Sequence, residues 1–244
     1  MKLKGGSNIS GVTIGVLCLE SYFPKPPGHI KNPSSLGFPV LYETVAGATV
    51  AKLVNGPEPG FIDPFLDAAQ RLEKEGVRAI TGSCGFLALF QRELSEAVDV
   101  PVFASSLIQL PMVYTMLGRR RKVGVLTASG PDLTDRHLAA VGAGDIPVAI
   151  QGMEDFPEFR EVILEGQRTN MDTAKIENEV LAAAKKLVKS NNDLGAIVLE
   201  CTDMPPYAHA LQKAIDLPIF DLTTLATMVH DAVLRSPYQG IMPR

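Results

Sequence analysis

The sequence predicts an α/β protein made of two similar halves, each an open sheet covered by helices. Three observations carry that expectation. Short aliphatic runs bounded by small residues alternate with longer stretches of helical periodicity, the pattern of βαβ units. Two of those runs end alike: Ala79-Ile80-Thr81-Gly82-Ser83 leads into Cys84, and Ala196-Ile197-Val198-Leu199-Glu200 leads into Cys201. The spacing of 117 residues between the cysteines, from 84 to 201, also relates their surroundings. It sets Val77-Arg78-Ala79-Ile80 on Leu194-Gly195-Ala196-Ile197, and Asp99-Val100-Pro101-Val102-Phe103 on Asp216-Leu217-Pro218-Ile219-Phe220. Upstream, Ile14-Gly15-Val16-Leu17 resembles Val123-Gly124-Val125-Leu126 at a spacing of 109. A repeat of this length argues for a duplicated architecture.

The elements follow in order. Residues 12–19 form the first strand, with Cys18 as a small buried hydrophobe. Residues 21–38 are rich in Pro and Gly (Phe23-Pro24-Lys25-Pro26-Pro27-Gly28, then Asn32-Pro33) and cannot be a regular helix or central strand. They read either as a lid or wall over a site or as a plain surface loop, with His29 solvated. A second strand is expected at 39–42 and a loop at 55–60. Asp63 as N-cap and Pro64 at the first turn open a helix to 75, closed by Gly76; Phe65, Leu66, Ala69 and Leu72 share its apolar face. The first cysteine strand is followed by a helix at 86–98, a short strand at 100–104 and a helix at 106–117.

The second half opens with a strand at 122–126 and the turn Thr127-Ala128-Ser129-Gly130-Pro131-Asp132. That turn suits carboxylate binding through hydroxyls and backbone N–H groups, or serves only as a helix cap. A helix at 133–141 and a strand at 148–150 follow, then an acidic stretch at 152–166 to which the sequence assigns no role. A strongly periodic helix at 173–190 leads to the second cysteine strand. Pro205-Pro206 precede a helix to 214, and a strand at 218–221 leads to a last helix at 225–234.

Composition narrows the function classes. At 244 residues, 46% hydrophobic and 20% charged, the chain can bury a sizeable core. Net charge is −4 and the one basic run, Arg119-Arg120-Arg121-Lys122, reads as a solvated helix end, so no nucleic-acid partner is expected. No run reaches the roughly 18 to 20 apolar residues of a membrane span, and residues 1–10 form a polar lead-in without a signal-peptide core. Three cysteines with no Cys-x-x-Cys spacing argue against disulfides and zinc and fit a reducing cytoplasm. The dinucleotide, Walker, His-Glu-x-x-His and Gly-x-Ser-x-Gly templates are absent, and His29, His137, His209 and His230 make no metal pattern.

The chemistry rests on Cys84 and Cys201. Each is expected at the carboxyl end of a strand and the amino end of a helix, where open α/β sheets bind ligands. Free backbone N–H groups and the helix dipole there favour an anion, and a thiolate over a thiol. Repeat-related cysteines should face each other across a cleft. One thiolate then removes a proton from carbon while the opposite thiol returns one to the other face. Helix N-termini and hydroxyls would hold a substrate carboxylate. The plain alternative is two ordinary buried cysteines.

The paired strands, the cysteine after each, and the Cys201-Thr202 pair resemble the aspartate/glutamate racemase superfamily over nearly the whole chain. That superfamily covers cofactor-independent racemases of aspartate, glutamate and hydantoins, with maleate isomerases and arylmalonate decarboxylases as relatives. The resemblance implies two Rossmann-like (flavodoxin-like) lobes with parallel sheets and pseudo-twofold symmetry: 1–100 plus 217–244, and 101–216, with the active site between them. It implies Cys84 and Cys201 as the acid/base pair, with Ser83, Gly85, Phe86, Thr127, Ser129, Thr202 and Asp203 binding a small carboxylate. It implies no cofactor or metal, and a homodimer.

Gly85-Phe86 stands where glutamate racemases have Asn-Thr, Cys18 where they have Asp, and Asp203 where they have His. Phe86 suggests a more apolar wall; Asp203 either assists Cys201 or caps the next helix. Retention of both cysteines favours a racemase or epimerase of an amino acid or related carbon acid, aspartate- or hydantoin-like. A maleate cis–trans isomerase, an arylmalonate-decarboxylase-like enzyme and a non-catalytic carboxylate-binding protein stay open.

Overall fold

The computed structural model describes residues 5–242; the start of the polar lead-in, 1–4, and residues 243–244 lie outside the described residues. β1 (Ile14–Glu20) is buried over its first six positions, as a strand with parallel partners on both sides must be. It is followed by β2 (Val40–Thr49), α1 (Val50–Val54), α2 (Asp63–Glu75), β3 (Ala79–Gly82), α3 (Gln91–Glu96), β4 (Val102–Phe103) and α4 (Leu110–Met116). The second half runs β5 (Lys122–Thr127), α5 (Asp135–Ala140), β6 (Val148–Gly152), α6 (Pro157–Phe159), α7 (Thr173–Ser190), β7 (Leu194–Leu199), α8 (Ala208–Ile215), β8 (Ile219–Phe220) and α9 (Leu222–Val233). Both sheets are four-stranded and parallel, in the orders β2-β1-β3-β4 and β6-β5-β7-β8. Equivalent strands occupy equivalent places, as the repeat requires.

Helix packing repeats as well. α2 buries Phe65, Ala68, Ala69 and Leu72, and α7 buries Ile176, Val180, Ala183, Ala184 and Leu187. Each such large aliphatic or aromatic side chain contributes roughly 1.5–3 kcal/mol. The helices come close because their strands carry glycine at the crossing. A Cβ on Gly15 would lie 3.0 Å from Leu72, and one on Gly124 would lie 3.1 Å from Leu187. α9 breaks the local pattern by returning to the first sheet, where Leu222, Leu225 and Ala226 join one buried cluster with Ile14, Val16, Ala79 and Phe103. β4 hydrogen-bonds in the first sheet and β8 in the second. The expected lobe boundaries at 100 and 216 therefore fall just before these two strands, and the chain changes lobe after them.

Several elements differ from expectation for local reasons. β2 continues to Thr49, because Val45 and Ala48 turn into the core and a register shift opposite residues 18–20 accommodates the extra length. Asp63 is the first residue of α2 rather than its cap; the preceding turn already satisfies its N–H, which donates to the Gly60 carbonyl at 3.2 Å. The helix expected at 86–98 begins as a 3-10 turn, Gly85–Phe90, and becomes α-helical only at Gln91. α5 is capped by Thr134 and His137, which the sequence did not single out. The acidic stretch folds as α6 and a π-helical turn, Arg160–Leu164, held by a bidentate pair from Arg168 to buried Glu158 at 2.7 and 3.1 Å.

Candidate active site

The two central strands β3 and β7 end at Gly82 and Leu199 and point their following residues at one place. The lobes are tied together there. Thr202 Oγ1 donates to the Ser83 carbonyl at 2.7 Å, and Ser106 Oγ donates to the Leu199 carbonyl at 2.6 Å. Ser83 Oγ in turn accepts from the Leu19 N–H at 2.9 Å. Cys84 and Cys201 open on the same small cavity, walled also by Ser83, Phe86, Thr202 and Asp203. The cavity holds about 20 Å3, room for little more than a water. Ser21, Phe23, Val50 and Ile163 separate it from an outer cleft of about 280 Å3 between the lobes. A wider hollow of about 530 Å3 near residues 45–64 touches neither cysteine.

The loop after β1 is a wall of this site. His29 is 2% exposed, not solvated as expected. Its Nδ1 accepts from the Lys31 backbone N–H at 2.8 Å, which leaves Nε2 to carry the proton and donate to Asp203 Oδ1 at 3.0 Å. Asp203 Oδ2 accepts from Cys201 Sγ at 3.5 Å. Burial pushes the Asp203 carboxyl up, but His29 and Lys25 outweigh it and hold the group below its usual range, so it is a carboxylate. Gly28 allows the loop to dock: its φ is +104°, and a Cβ there would lie 2.7 Å from the Pro206 Cα. Two lysines line the same loop. Lys31 Nζ donates to the Leu19 carbonyl at 2.7 Å and to Ser21 Oγ at 2.9 Å. Lys25 Nζ donates to the Phe23 carbonyl and lies 3.4 Å from the Phe23 ring centre. Burial lowers both ammonium groups, Lys25 to about 8.

Both catalytic candidates are thiols in this arrangement, which corrects the expectation of a helix-stabilised thiolate. Burial raises Cys84, Glu200 adds to the effect, and the Phe86 backbone N–H opposes it without prevailing. Burial and then Asp203 raise Cys201 well above its ordinary value. The physical reason is burial of both sulfurs, to which the two buried acids nearby add. Cys18 is buried in β1, and burial raises its thiol to about 11.

Glu200 is one residue that sequence reasoning did not place. It is 1% exposed and lines the cavity beside Cys201. Its Oε2 accepts from Thr127 Oγ1 at 2.8 Å and from the Ala128 N–H at 3.4 Å, while burial raises the carboxyl to about 7. The turn at 127–132 therefore spends its hydroxyls internally: Thr127 on Glu200, and Ser129 on Asp132 at 2.5 Å. Gly85 lies against Glu200 rather than in the cavity wall; a Cβ there would meet Glu200 Oε1 at 2.1 Å. Phe86 is fully buried and stands edge-on to His137 at 5.2 Å. The signals for His29, Lys25 and Lys31 lay in the loop's position after the first strand, and that for Glu200 in an acid ending an otherwise apolar strand. Among the described residues, no group of three or more His, Cys, Asp or Glu side chains is arranged to hold a metal ion. No helix among them is long and apolar enough to cross a membrane.

Comparisons with known proteins refine this picture. The family model described as Asp/Glu/Hydantoin racemase matches residues 39–229. Dimethylsulfoniopropionate lyase 7 of Emiliania huxleyi (strain CCMP1516) is 33% identical over 239 residues, covering 94% of this chain and 69% of the relative. Dimethylsulfoniopropionate lyase 3 of the same strain is 31% identical over 238 residues, covering 94% of this chain and 62% of the relative. The chain thus spans about two thirds of the length of these relatives. The crystal structure of an aspartate racemase homologue from Pyrococcus horikoshii OT3 superposes with a TM-score of 0.57 at 16% identity, covering 90% of this chain and 97% of that one, a likeness of fold. These findings correct the expected activity. The racemase and isomerase reading rested on two retained cysteines, yet the sequence relatives that align along nearly the whole chain are named for a lyase. With the duplicated parallel sheets and a family match spanning most of both, the chain belongs to the Asp/Glu/hydantoin racemase family.

Proposed function

We propose that this protein is a lyase that eliminates dimethyl sulfide from dimethylsulfoniopropionate or a close β-sulfonium carboxylate. The observation that carries the reading is the 33% identity over 94% of the chain to a dimethylsulfoniopropionate lyase. Two thiols lining one enclosed cavity supply chemistry of the right kind.

The substrate is a carbon acid with a leaving group already in place. A base removes a proton from the carbon next to the carboxylate. The released electron pair forms the carbon–carbon double bond as the bond from the β-carbon to sulfur breaks. Dimethyl sulfide departs with that bonding pair, and acrylate remains. The step is redox-neutral, so it requires no redox cofactor. Cys84 is assigned as the base because Cys201 is tied as a thiol to the Asp203 carboxylate, to which its Sγ donates at 3.5 Å. A sulfonium admitted from the outer cleft, once the wall of Ser21, Phe23, Val50 and Ile163 gives way, adds a positive charge beside the thiols and pulls the thiol pKa down, so the substrate assists in forming its own base. Cys201, held as a thiol toward Asp203, lines the same cavity from the other lobe; the sulfide leaves neutral and takes up no proton, so no acid is required of it. Ser83, whose hydroxyl oxygen accepts from Leu19 and whose O–H can still donate, and Lys31, which has an N–H beyond the two given to Leu19 and Ser21, are assigned to the substrate carboxylate, whose charge grows as the proton leaves. A cytoplasmic homodimer belongs to the same proposal; sedimentation of the pure protein checks its oligomeric part.

Proton NMR of the pure protein with dimethylsulfoniopropionate tests the reading. Acrylate vinyl signals and headspace dimethyl sulfide should rise in equal amounts. Cys84→Ser should lower kcat by about 10²–10⁴-fold, the usual range for loss of a general base. Wild-type protein that forms neither product would overturn the proposal.

A further inference from the structure

Glu200 carries an unused oxygen. Among the described residues, only Glu200 Oε1 and the Tyr207 hydroxyl are buried side-chain oxygens or nitrogens without a hydrogen-bond partner. The other carboxylate oxygen is fixed by Thr127 and Ala128, so Oε1 cannot rotate away to find one. Residue 85 is glycine, and any side chain there would collide with Oε1. No lysine, arginine or histidine forms an ion pair with Glu200 among the described residues. The nearby cations are already engaged: Lys31 on Leu19 and Ser21, Lys25 on Phe23, and His29 on Asp203. A buried carboxylate oxygen with neither a donor nor a counter-charge is costly, and a native fold retains one at a functional position or where a water or an ion completes it.

A cationic ligand group would supply the counter-charge that no side chain among the described residues supplies to Glu200. The substrate class assigned above has a negative and a positive end. Its carboxylate is repelled by Glu200, whereas its onium end is attracted, strongly so at low local dielectric. We propose that Glu200 receives the positively charged β-substituent and selects betaine-like substrates, β-onium carboxylates, over neutral carboxylates of the same shape. The inference rests on the lyase reading for the location of the substrate. It concerns affinity, because sulfur loses its charge as it departs and Glu200 favours the bound substrate over the transition state. Glu200 is thus a specificity residue rather than a base.

The test uses two non-reactive ligands of one shape, 3-(trimethylammonio)propionate and 4,4-dimethylpentanoate, which differ by a single positive charge. Calorimetric titration of wild type at about pH 8.5, where the Glu200 carboxyl is ionised, should show the cationic ligand binding at least about tenfold more tightly, ~1.4 kcal/mol. Glu200→Gln, which can keep the Thr127 and Ala128 hydrogen bonds, should bring the two affinities within about a factor of two. A wild-type ratio near one, or a ratio unchanged in Glu200→Gln, overturns the inference. Should that variant not fold, Glu200→Asp, which withdraws the charge by one methylene, must lower the ratio, and an unchanged ratio overturns the inference equally. Acrylate release by wild type is scored in a separate assay, so failure of the lyase reading and failure of this one are told apart.

Discussion

Protonation decides what the individual residues can do. Position alone would make Cys84 and Cys201 thiolates, since each follows a strand and precedes a turn of free N–H groups. Burial and two neighbouring acids reverse that, so both are thiols here, and the reaction proposed above generates its base when substrate binds. Asp203 and Glu200 show how two buried acids beside one cavity come to differ. Asp203 has His29 and stays ionised; Glu200 has a hydroxyl and an amide, and burial raises it to about 7. The Glu200 shift has a consequence for stability. Its carboxyl titrates at about 7 in the fold against 4.5 for the free side chain. The unfolded chain therefore holds fewer protons than the folded one in between, and stability falls as pH rises through that window. The stabilisation present below pH 4.5 amounts to roughly 3 kcal/mol and is lost by about pH 7. Glu200→Gln should remove most of this dependence. Urea unfolding of both proteins at pH 5 and pH 7.5 checks it: equal slopes of stability against pH would refute the assignment.

The loop after β1 is the element on which the site most depends. It brings His29 and Lys31 to the cavity and is seated by Gly28 against Pro206. Gly28→Ala combines a left-handed φ with a backbone clash, so the loop should be displaced. A cost of about 2 kcal/mol follows, or a Tm lower by ~4–8 °C, together with a raised KM for the lyase reaction. An unchanged Tm and KM would mean that the loop is not part of the site. This element also marks the limit of what the sequence made legible. Its prolines excluded helix and strand correctly, and its place after the first strand made a site wall one of two readings. Burial of His29 depended on Asp203, 174 positions away between 29 and 203, and no local pattern encodes such a partner. The 127–132 turn shows the same limit, since its two open readings were carboxylate binding and a helix cap. Its hydroxyls suited a carboxylate, and here they serve the protein's own: Thr127 that of Glu200 and Ser129 that of Asp132. Strands, long helices and the cysteine positions were legible because periodicity and the repeat are local or self-referential. The 3-10 start after Cys84 was not, because it follows from Gly85 packing on the other lobe.

At the scale of the whole molecule, duplication explains the pairing of the cysteines, and departures from it explain their difference. The two sheets share one strand order, so β3 and β7 deliver Cys84 and Cys201 to the same cavity. Only the first half follows its opening strand with a long Pro-rich loop, and that loop gives Cys201 its Asp203–His29 partner. The crossing of α9 is the second departure with a physical consequence. Without α9, Ile14, Val16, Ala79 and Phe103 lose their cover, although they belong to a sheet formed nearly 120 residues earlier in the chain. Removing the burial of Leu222 and Leu225 alone costs about 3–6 kcal/mol, comparable with the whole stability of a typical domain. A chain ended after residue 220 should therefore lose its cooperative thermal transition and bind a hydrophobic dye. A chain ended after residue 234 should melt like the full protein, because residues 235–242 are exposed. If the chain ended at 220 kept a cooperative transition at an unchanged Tm, α9 would be an appendage, and the first lobe would have to be closed by elements of its own half.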